Sequence, residues 1–212
     1  MKIAFINGSP KMKDSASNCI LKELKAFLEP DINIIYEYYF RKSQVDIKEM
    51  EQLSECDVIV FAFPLYVDAI PSHLLSCLIQ LEMFFAPIEE KNIIVYSLVN
   101  CGFYEGHQNK LAIEIMENWC VKAGLKWGQG VGIGAGGMIP GLKDVPIGRG
   151  PKKNLEKTFK QLSNNILKCT SEENIFITAN FPRFLYKLAA EMGWRKFIKA
   201  NGLKRKDLFL RK

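Results

Sequence analysis

Two hydrophobic rhythms alternate along the first 170 residues. Short runs that are apolar at nearly every position read as buried strands at residues 3–6, 32–40, 57–64 and 92–99, with a weaker, glycine-laden fifth at 126–133. Between them, apolar residues recur every three or four positions, the spacing of one helical face. Ile20, Leu21, Leu24, Phe27 and Leu28 mark one such helix, with Ser17 as its expected N-cap. A polar helix follows at 47–55. Leu74, Leu75, Leu78, Leu81 and Phe85 mark the next, opened by Pro71 at a position that needs no N–H. Leu111, Ile115, Trp119 and Ala123 lead to a stop at Gly124, and Leu155, Phe159, Leu162, Ile166 and Leu167 follow a glycine-rich loop. Strands that are apolar on both faces, each followed by a helix, belong in a parallel sheet covered on both sides. The pattern predicts a doubly wound α/β domain with five parallel strands in the order 2-1-3-4-5.

This rhythm occupies residues 1–175. Residues 176–212 depart from it and read as a basic helical C-terminal extension of the same domain. One helix there carries Phe184, Leu185, Leu188, Ala189 and Met192 and ends at Gly193; a second covers 194–200 and closes at Asn201-Gly202.

Composition narrows the class. The 212 residues are 48% hydrophobic and 25% charged, which suits a globular protein with one sizeable core and argues against intrinsic disorder. Charges or prolines interrupt each apolar run well short of the roughly 20 residues a spanning helix needs. The five or so apolar residues before Asn7-Gly8 are too few for a signal peptide, so a cytoplasmic location is expected. Six cysteines are scattered with no CxxC, and only two histidines occur, which removes support for zinc ribbons, thioredoxin-type pairs and His-rich metal sites. The net charge of +6 is uneven: residues 183–212 hold ten Lys or Arg against Glu191 and Asp207, and the rest of the chain is slightly acidic.

In an open sheet of this order, ligands bind beyond the carboxyl ends of strands one and three, where the strand order reverses. The loop after strand one holds hydroxyls at Ser9, Ser15 and Ser17, the Asn18 amide, and Lys11 and Lys13, just before a helix N-terminus. That combination suits a phosphate better than an ordinary turn requires. GxxxxGK[ST] is absent, which speaks against an NTPase. The loop after strand three, residues 63–72, is apolar and aromatic and suits a flat ring. Strand four ends in residues 99–107, again polar and aromatic with glycines for close approach. A phosphate cradle beside two walls for a heterocycle fits FMN.

These segments, GSPK with Ser15, Ser17 and Asn18, FPLYVDAIPS and NCGFYEGHQN, resemble the flavodoxin-like NAD(P)H-dependent FMN reductases, in their iron–sulfur-flavoprotein-related branch. The resemblance covers about residues 1–170. It implies a flavodoxin-like fold and non-covalent FMN. The phosphate would lie in the first loop (Ser9, Pro10, Lys11, Ser15, Ser17, Asn18) and the ring along Pro64, Leu65, Tyr66 and Val67. The polar edge of the ring would face Asn100, Cys101, Gly102 and Phe103. It further implies hydride transfer from NADH or NADPH through flavin N5 to a small-molecule acceptor: a quinone, flavin, nitro or azo compound, or metal ion. A homodimer would close the exposed flavin face. Iron–sulfur members carry a compact cysteine motif after strand three; this loop has none before Cys77, so no cluster is expected.

Other signals are weighed against this reading. Residues 132–137 match GxGxxG with Glu156 downstream, but Met138-Ile139-Pro140-Gly141 stands where a helix should begin. A glycine loop bordering the substrate side of the flavin is the better reading. Tyr66, Tyr104 and His107 are candidate proton donors or pocket walls, and His107 is the one local base for Cys101. A flavin performs its own hydride chemistry, so no catalytic dyad is required. The basic tail reads first as a solvated or dimer-packing helical pair, then as a weak contact with an anionic membrane surface. No nucleic-acid motif is visible. The rival function is a one-electron carrier of the flavodoxin type with a protein partner, although its denser T/S-x-T-G-x-T loop is missing here.

Overall fold

The computed structural model describes residues 1–28, 34–89, 91–204 and 206–207, in two compact units, Met1–Ala179 and Asn180–Lys212. In the first unit the strands are β1 (Ile3–Asn7), β2 (Ile35–Tyr39), β3 (Val58–Pro64), β4 (Ile94–Asn100), β5 (Lys126–Ile133) and β6 (Ile175–Ile177). The helices are α1 (Ala16–Leu28), α2 (Ile47–Ser54), α3 (Ser72–Phe85), α4 (Lys110–Ala123) and α5 (Lys153–Lys168). The predicted start of the second strand, Ile32 and Asn33, lies outside the described residues.

All pairings are parallel, in the order β2-β1-β3-β4-β5-β6. The expected order 2-1-3-4-5 is present, but the count of five is corrected to six among the described residues. β6 is three residues long, too short for hydrophobic periodicity to distinguish it from a loop. It is held partly by a side chain: Asn174 Oδ1 accepts the Gly130 N–H at 2.7 Å before β6 pairs with residues 131–133. β6 also straddles the boundary expected between residues 175 and 176, whereas the compact units divide after Ala179.

Alternation along the strands builds two cores. Ala4, Ile6, Ile59, Phe61, Phe63, Val95 and Val99 face α2, α3 and α4, while Ile3, Phe5, Val58, Val60, Ala62, Tyr96 and Leu98 face α1 and α5. β4 is buried at every position, as a central strand covered on both faces must be. A bulge interrupts its pairing with β5: Val95 opposes Trp127 but Tyr96 opposes Gln129, leaving Gly128 extra. Glycine is required there, because an added Cβ would lie 2.6 Å from the Tyr96 ring.

Two helix ends differ from expectation. Ser15, not Ser17, caps α1: its Oγ accepts the Asn18 N–H at 3.1 Å, and Ser17 lies inside the first turn. In the second unit the expected pair of helices is, among the described residues, one helix, α6 (Arg183–Ala200), unbroken at Gly193. An interior glycine costs about 1 kcal/mol against alanine, an amount the surrounding Leu, Ala, Met, Arg and Lys offset. Its C-terminus does close at Asn201 and Gly202, with Gly202 at φ 72°. Among the described residues no helix is long and apolar enough to cross a membrane.

All six cysteines are free thiols. Burial pushes Cys56 and Cys77 up from 9.0 to about 11 and raises Cys120 further. Between the ordinary value and about 11, the unfolded chain loses thiol protons that the folded chain keeps, so stability falls as pH rises through that window. At pH 8, exposed Cys169 and half-buried Cys19 should react with a disulfide reagent first. Cys77, Cys101 and Cys120 should react only on unfolding, a pattern mass spectrometry of labelled peptides would read.

Candidate functional site

The carboxyl ends of β1, β3, β4 and β5 surround a cleft of about 200 Å³, open to solvent on one side. It is lined by Ser9, Lys11, Ala16 and Ser17 from the first loop and α1, Pro64, Leu65 and Tyr66 after β3, and Asn100, Cys101 and Gly102 after β4. Gly136, Gly137 and Pro140, after β5, complete the lining. Two tighter pockets, between α1 and β2 and beneath residues 138–142, hold no more than one water-sized space. A larger groove beside α5 and β6 is a shallow polar surface at the sheet edge, away from the switch point.

The donor set of the first loop suits an anion. Gly8 starts it, pressed so closely on α3 that a Cβ would stand 2.5 Å from Leu74. Asn7 Oδ1 accepts the Ser9 N–H at 3.0 Å and fixes the turn. Ser9 and Ser17 are buried, yet both hydroxyl oxygens already accept hydrogen bonds, Ser9 Oγ from Lys11 N (3.4 Å) and Ser17 Oγ from Asn100 Nδ2 (2.9 Å). Their own protons remain to be donated to a further acceptor. These two O–H donors, the Lys11 ammonium and the first N–H groups of α1 together favour an anion. Asp14, within the loop, is offset: its ion pair with Lys143 holds the carboxyl below its ordinary range.

Asn100, 4% exposed, is the junction of the site. Its Nδ2 donates to Ser17 Oγ and to the Phe63 carbonyl at 3.0 Å, joining the first loop to the end of β3. Its backbone carbonyl accepts the Leu65 N–H at 2.8 Å, so Pro64 and Leu65 continue the strand edge as an apolar wall. Beyond them Tyr66 and Ala69 exchange two backbone hydrogen bonds at 3.0 Å around Val67 and Asp68, both at positive φ. A β-branched residue at φ 50° is strained, and Val67 stands out into solvent.

Cys101 is buried, and its Sγ lies 3.7 Å from the Phe103 and Glu105 carbonyls and 3.4 Å from Asn109 Nδ2. Burial raises its thiol above the ordinary value, so it is neutral near pH 7 and a poor nucleophile. His107 is not its partner; its ring packs edge-on against Phe176 at 4.9 Å. The wall after β5 is a 3₁₀ turn, Gly136–Leu142, not a dinucleotide-binding helix. It closes on the site because Gly136 N donates to the Cys101 carbonyl at 2.7 Å. Behind it, the nearly fully buried Lys152 donates to the Val145 (2.8 Å) and Leu142 (3.2 Å) carbonyls and pairs with Glu23 of α1. That cation ties the turn and the loop following it to α1.

Of the residues singled out by sequence, Ser9, Lys11, Ser17, Pro64, Leu65, Tyr66, Asn100, Cys101 and Gly102 line one cleft. Pro10, Ser15, Val67 and Phe103 adjoin it in sequence but do not line it, and Asn18 lines the narrow pocket between α1 and β2. Ala16, Gly136, Gly137 and Pro140 line it too without being candidate cofactor residues by sequence. For the last three, the run of glycines at 134–141 is the signal, read as a loop bordering the substrate side of the flavin; Ala16 has none.

FMN suits this donor set: neutral and cationic donors at a helix N-terminus for its phosphate, and apolar walls for its ring. There is room as well, since a Cβ on Gly102 or Gly137 would meet nothing within 4 Å.

Neither a protein-family profile nor the sequence of a curated protein matches this chain. Solved structures do. An NADPH-quinone reductase from P. pentosaceus superposes with a TM-score of 0.56 at 15% identity, covering 77% of this chain and 98% of the other. The azoreductase AzrA gives 0.51 at 14% identity over 78% and 98%. A short-chain flavodoxin associated with a bacterial microcompartment gives 0.54 at 14% identity over 81% and 100%. Strand order, the position of the cleft and these superpositions agree that the chain has the flavodoxin-like fold.

Proposed function

We propose that the protein is an FMN-dependent oxidoreductase that takes a hydride from NAD(P)H and passes the electrons to a quinone, flavin, nitro or azo compound, or metal ion. The observation that carries this reading is the junction at Asn100, which places an anion-binding loop and an apolar wall in one cleft open to solvent. Flavin-dependent oxidoreduction is also the chemistry that the names of the quinone reductase and azoreductase neighbours indicate.

In this reading Ser9, Lys11, Ser17 and the start of α1 hold the phosphate of non-covalently bound FMN. Pro64, Leu65 and Tyr66 orient the ring, and Asn100 and Gly102 face its polar edge. The bound flavin supplies hydride acceptance and delivery at N5; the chain supplies orientation and partial exclusion of water. Both substrates use the same open side in turn, giving ping-pong kinetics. A second copy of the chain closes that side in a homodimer, and NAD(P)H as co-substrate fits a cytoplasmic enzyme.

The test is a visible spectrum of the purified protein with FMN, then with NADPH, without oxygen. Retained flavin bands that bleach on adding NADPH are expected. Flavin retained but not reduced by NADH or NADPH would favour an electron carrier with a protein partner. Failure to retain FMN would end the cofactor assignment.

A further inference from the structure

The second unit carries a surface that the flavin site does not use. On α6, Phe184 (65% exposed), Leu188, Met192, Trp194 (65%) and Phe197 (69%) all stand in solvent. A solvated helix would be polar at these positions. They alternate with Arg183, Lys187, Arg195, Lys196 and Lys199, and residues 183–212 carry ten basic groups against two acidic ones. Arg195 pairs with Glu191 at 3.2 Å, which neutralises the one acid on the helix.

The arrangement of apolar residues changes partway along. At about 100° per residue, Phe184, Leu185, Leu188 and Met192 share one face, and Trp194 and Phe197 fall on the opposite one. The change falls at Gly193, where an added Cβ would meet nothing within 4 Å. A straight helix can lay only one of these faces on a plane. A swivel of about half a turn at Gly193 lets both lie on it, and glycine, which has no Cβ, reaches the non-helical backbone angles this needs most cheaply.

We propose that α6 docks on an anionic lipid surface as two short amphipathic halves hinged at Gly193. Charge complementarity selects this occupant. A second copy of the same helix would bring two strongly basic segments together. Single-stranded nucleic acid would satisfy the charge and could stack on Phe184, Trp194 and Phe197, but Leu185, Leu188 and Met192 offer no ring for a base. Aromatic and aliphatic side chains interleaved with Lys and Arg match the headgroup boundary of a bilayer, where the helix lies in the interface and does not span. This surface is independent of flavin binding, which proceeds in its absence.

The experiment uses the full chain with vesicles of phosphatidylcholine alone or mixed equally with phosphatidylglycerol. The readouts are co-sedimentation and Trp fluorescence. Binding to the mixed vesicles only, weakened by added salt, is expected, with a blue shift that Trp194→Phe removes. Lys187→Glu, Lys196→Glu and Lys199→Glu should each weaken binding about fivefold or more. Gly193→Ala should weaken it about fivefold by stiffening the hinge. Equal binding to neutral vesicles, or none to either, overturns the proposal. So does preferential capture by polyuridylate, or self-association that Leu188→Ser abolishes. Full binding by Gly193→Ala overturns the hinge.

Discussion

Replacing Ser9 with aspartate is expected to weaken FMN binding about a thousandfold while leaving the fold in place. Ser9 is 3% exposed and lines the cleft, and while its oxygen accepts from Lys11 N its hydroxyl proton is left to donate to an anion there. A carboxylate there replaces a donor with a negative charge against the phosphate. At about 4 Å and an effective dielectric near 20, the repulsion is about 4 kcal/mol, or about three orders of magnitude in Kd. Ser9→Asn, neutral and similar in size to aspartate, separates charge from bulk and should lose far less. The measurement is a fluorescence titration of FMN into the apoprotein, with a thermal melt of each variant. Ser9→Asp binding FMN within tenfold of wild type would remove the first loop from the phosphate site.

Lys152→Met is expected to have the largest effect on stability, about 3 kcal/mol. The lysine is almost wholly buried between two backbone carbonyls and the Glu23 carboxylate, itself 23% exposed. Removing one member of such a group strands its partners, a loss of about 3–5 kcal/mol for a fully buried pair; solvent near Glu23 places the value at the lower end. In a chain of this size that lowers Tm by roughly 6–12 °C. Lys152→Met with Glu23→Leu should recover part of the loss, because the second change removes the stranded carboxylate. A double variant no more stable than the single one would show that the carbonyl contacts, not the ion pair, carry the effect. The single variant should also lose acceptor selectivity before it loses FMN, since the segment it frees forms a wall of the cleft and not the phosphate loop.

Most of the architecture is legible in the sequence because burial on both faces leaves a strand few polar positions. β3 and β4 are such strands, and the loops leaving them therefore stand out as chemistry. The features that escape are set by distant contacts. Ser17 looks like a cap, but the cap is Ser15, and Ser17 is instead engaged by Asn100, 83 residues away. The fourth wall of the cleft depends on the Gly136 N–H reaching the Cys101 carbonyl, a bond with no local signature. Gly193 illustrates the converse: a local signal for a helix end that neighbouring helix formers outweigh.

The extra residue at Gly128 makes the length of β5, and not only its composition, part of the fold. Were Gly128 paired as an ordinary strand residue, Trp127, Gln129, Val131 and Ile133 would all point to one side of the sheet. Left out of the pairing, it lets Trp127 join the core under α3 and α4, while Val131 and Ile133 join the core under α1 and α5. Deleting this one small residue would keep both groups on their own sides and remove only the bulge, whereas forcing it into the ladder would send one group to the wrong side. Homologous chains are accordingly expected either to keep a glycine in the bulge or to be one residue shorter between Trp127 and Val131.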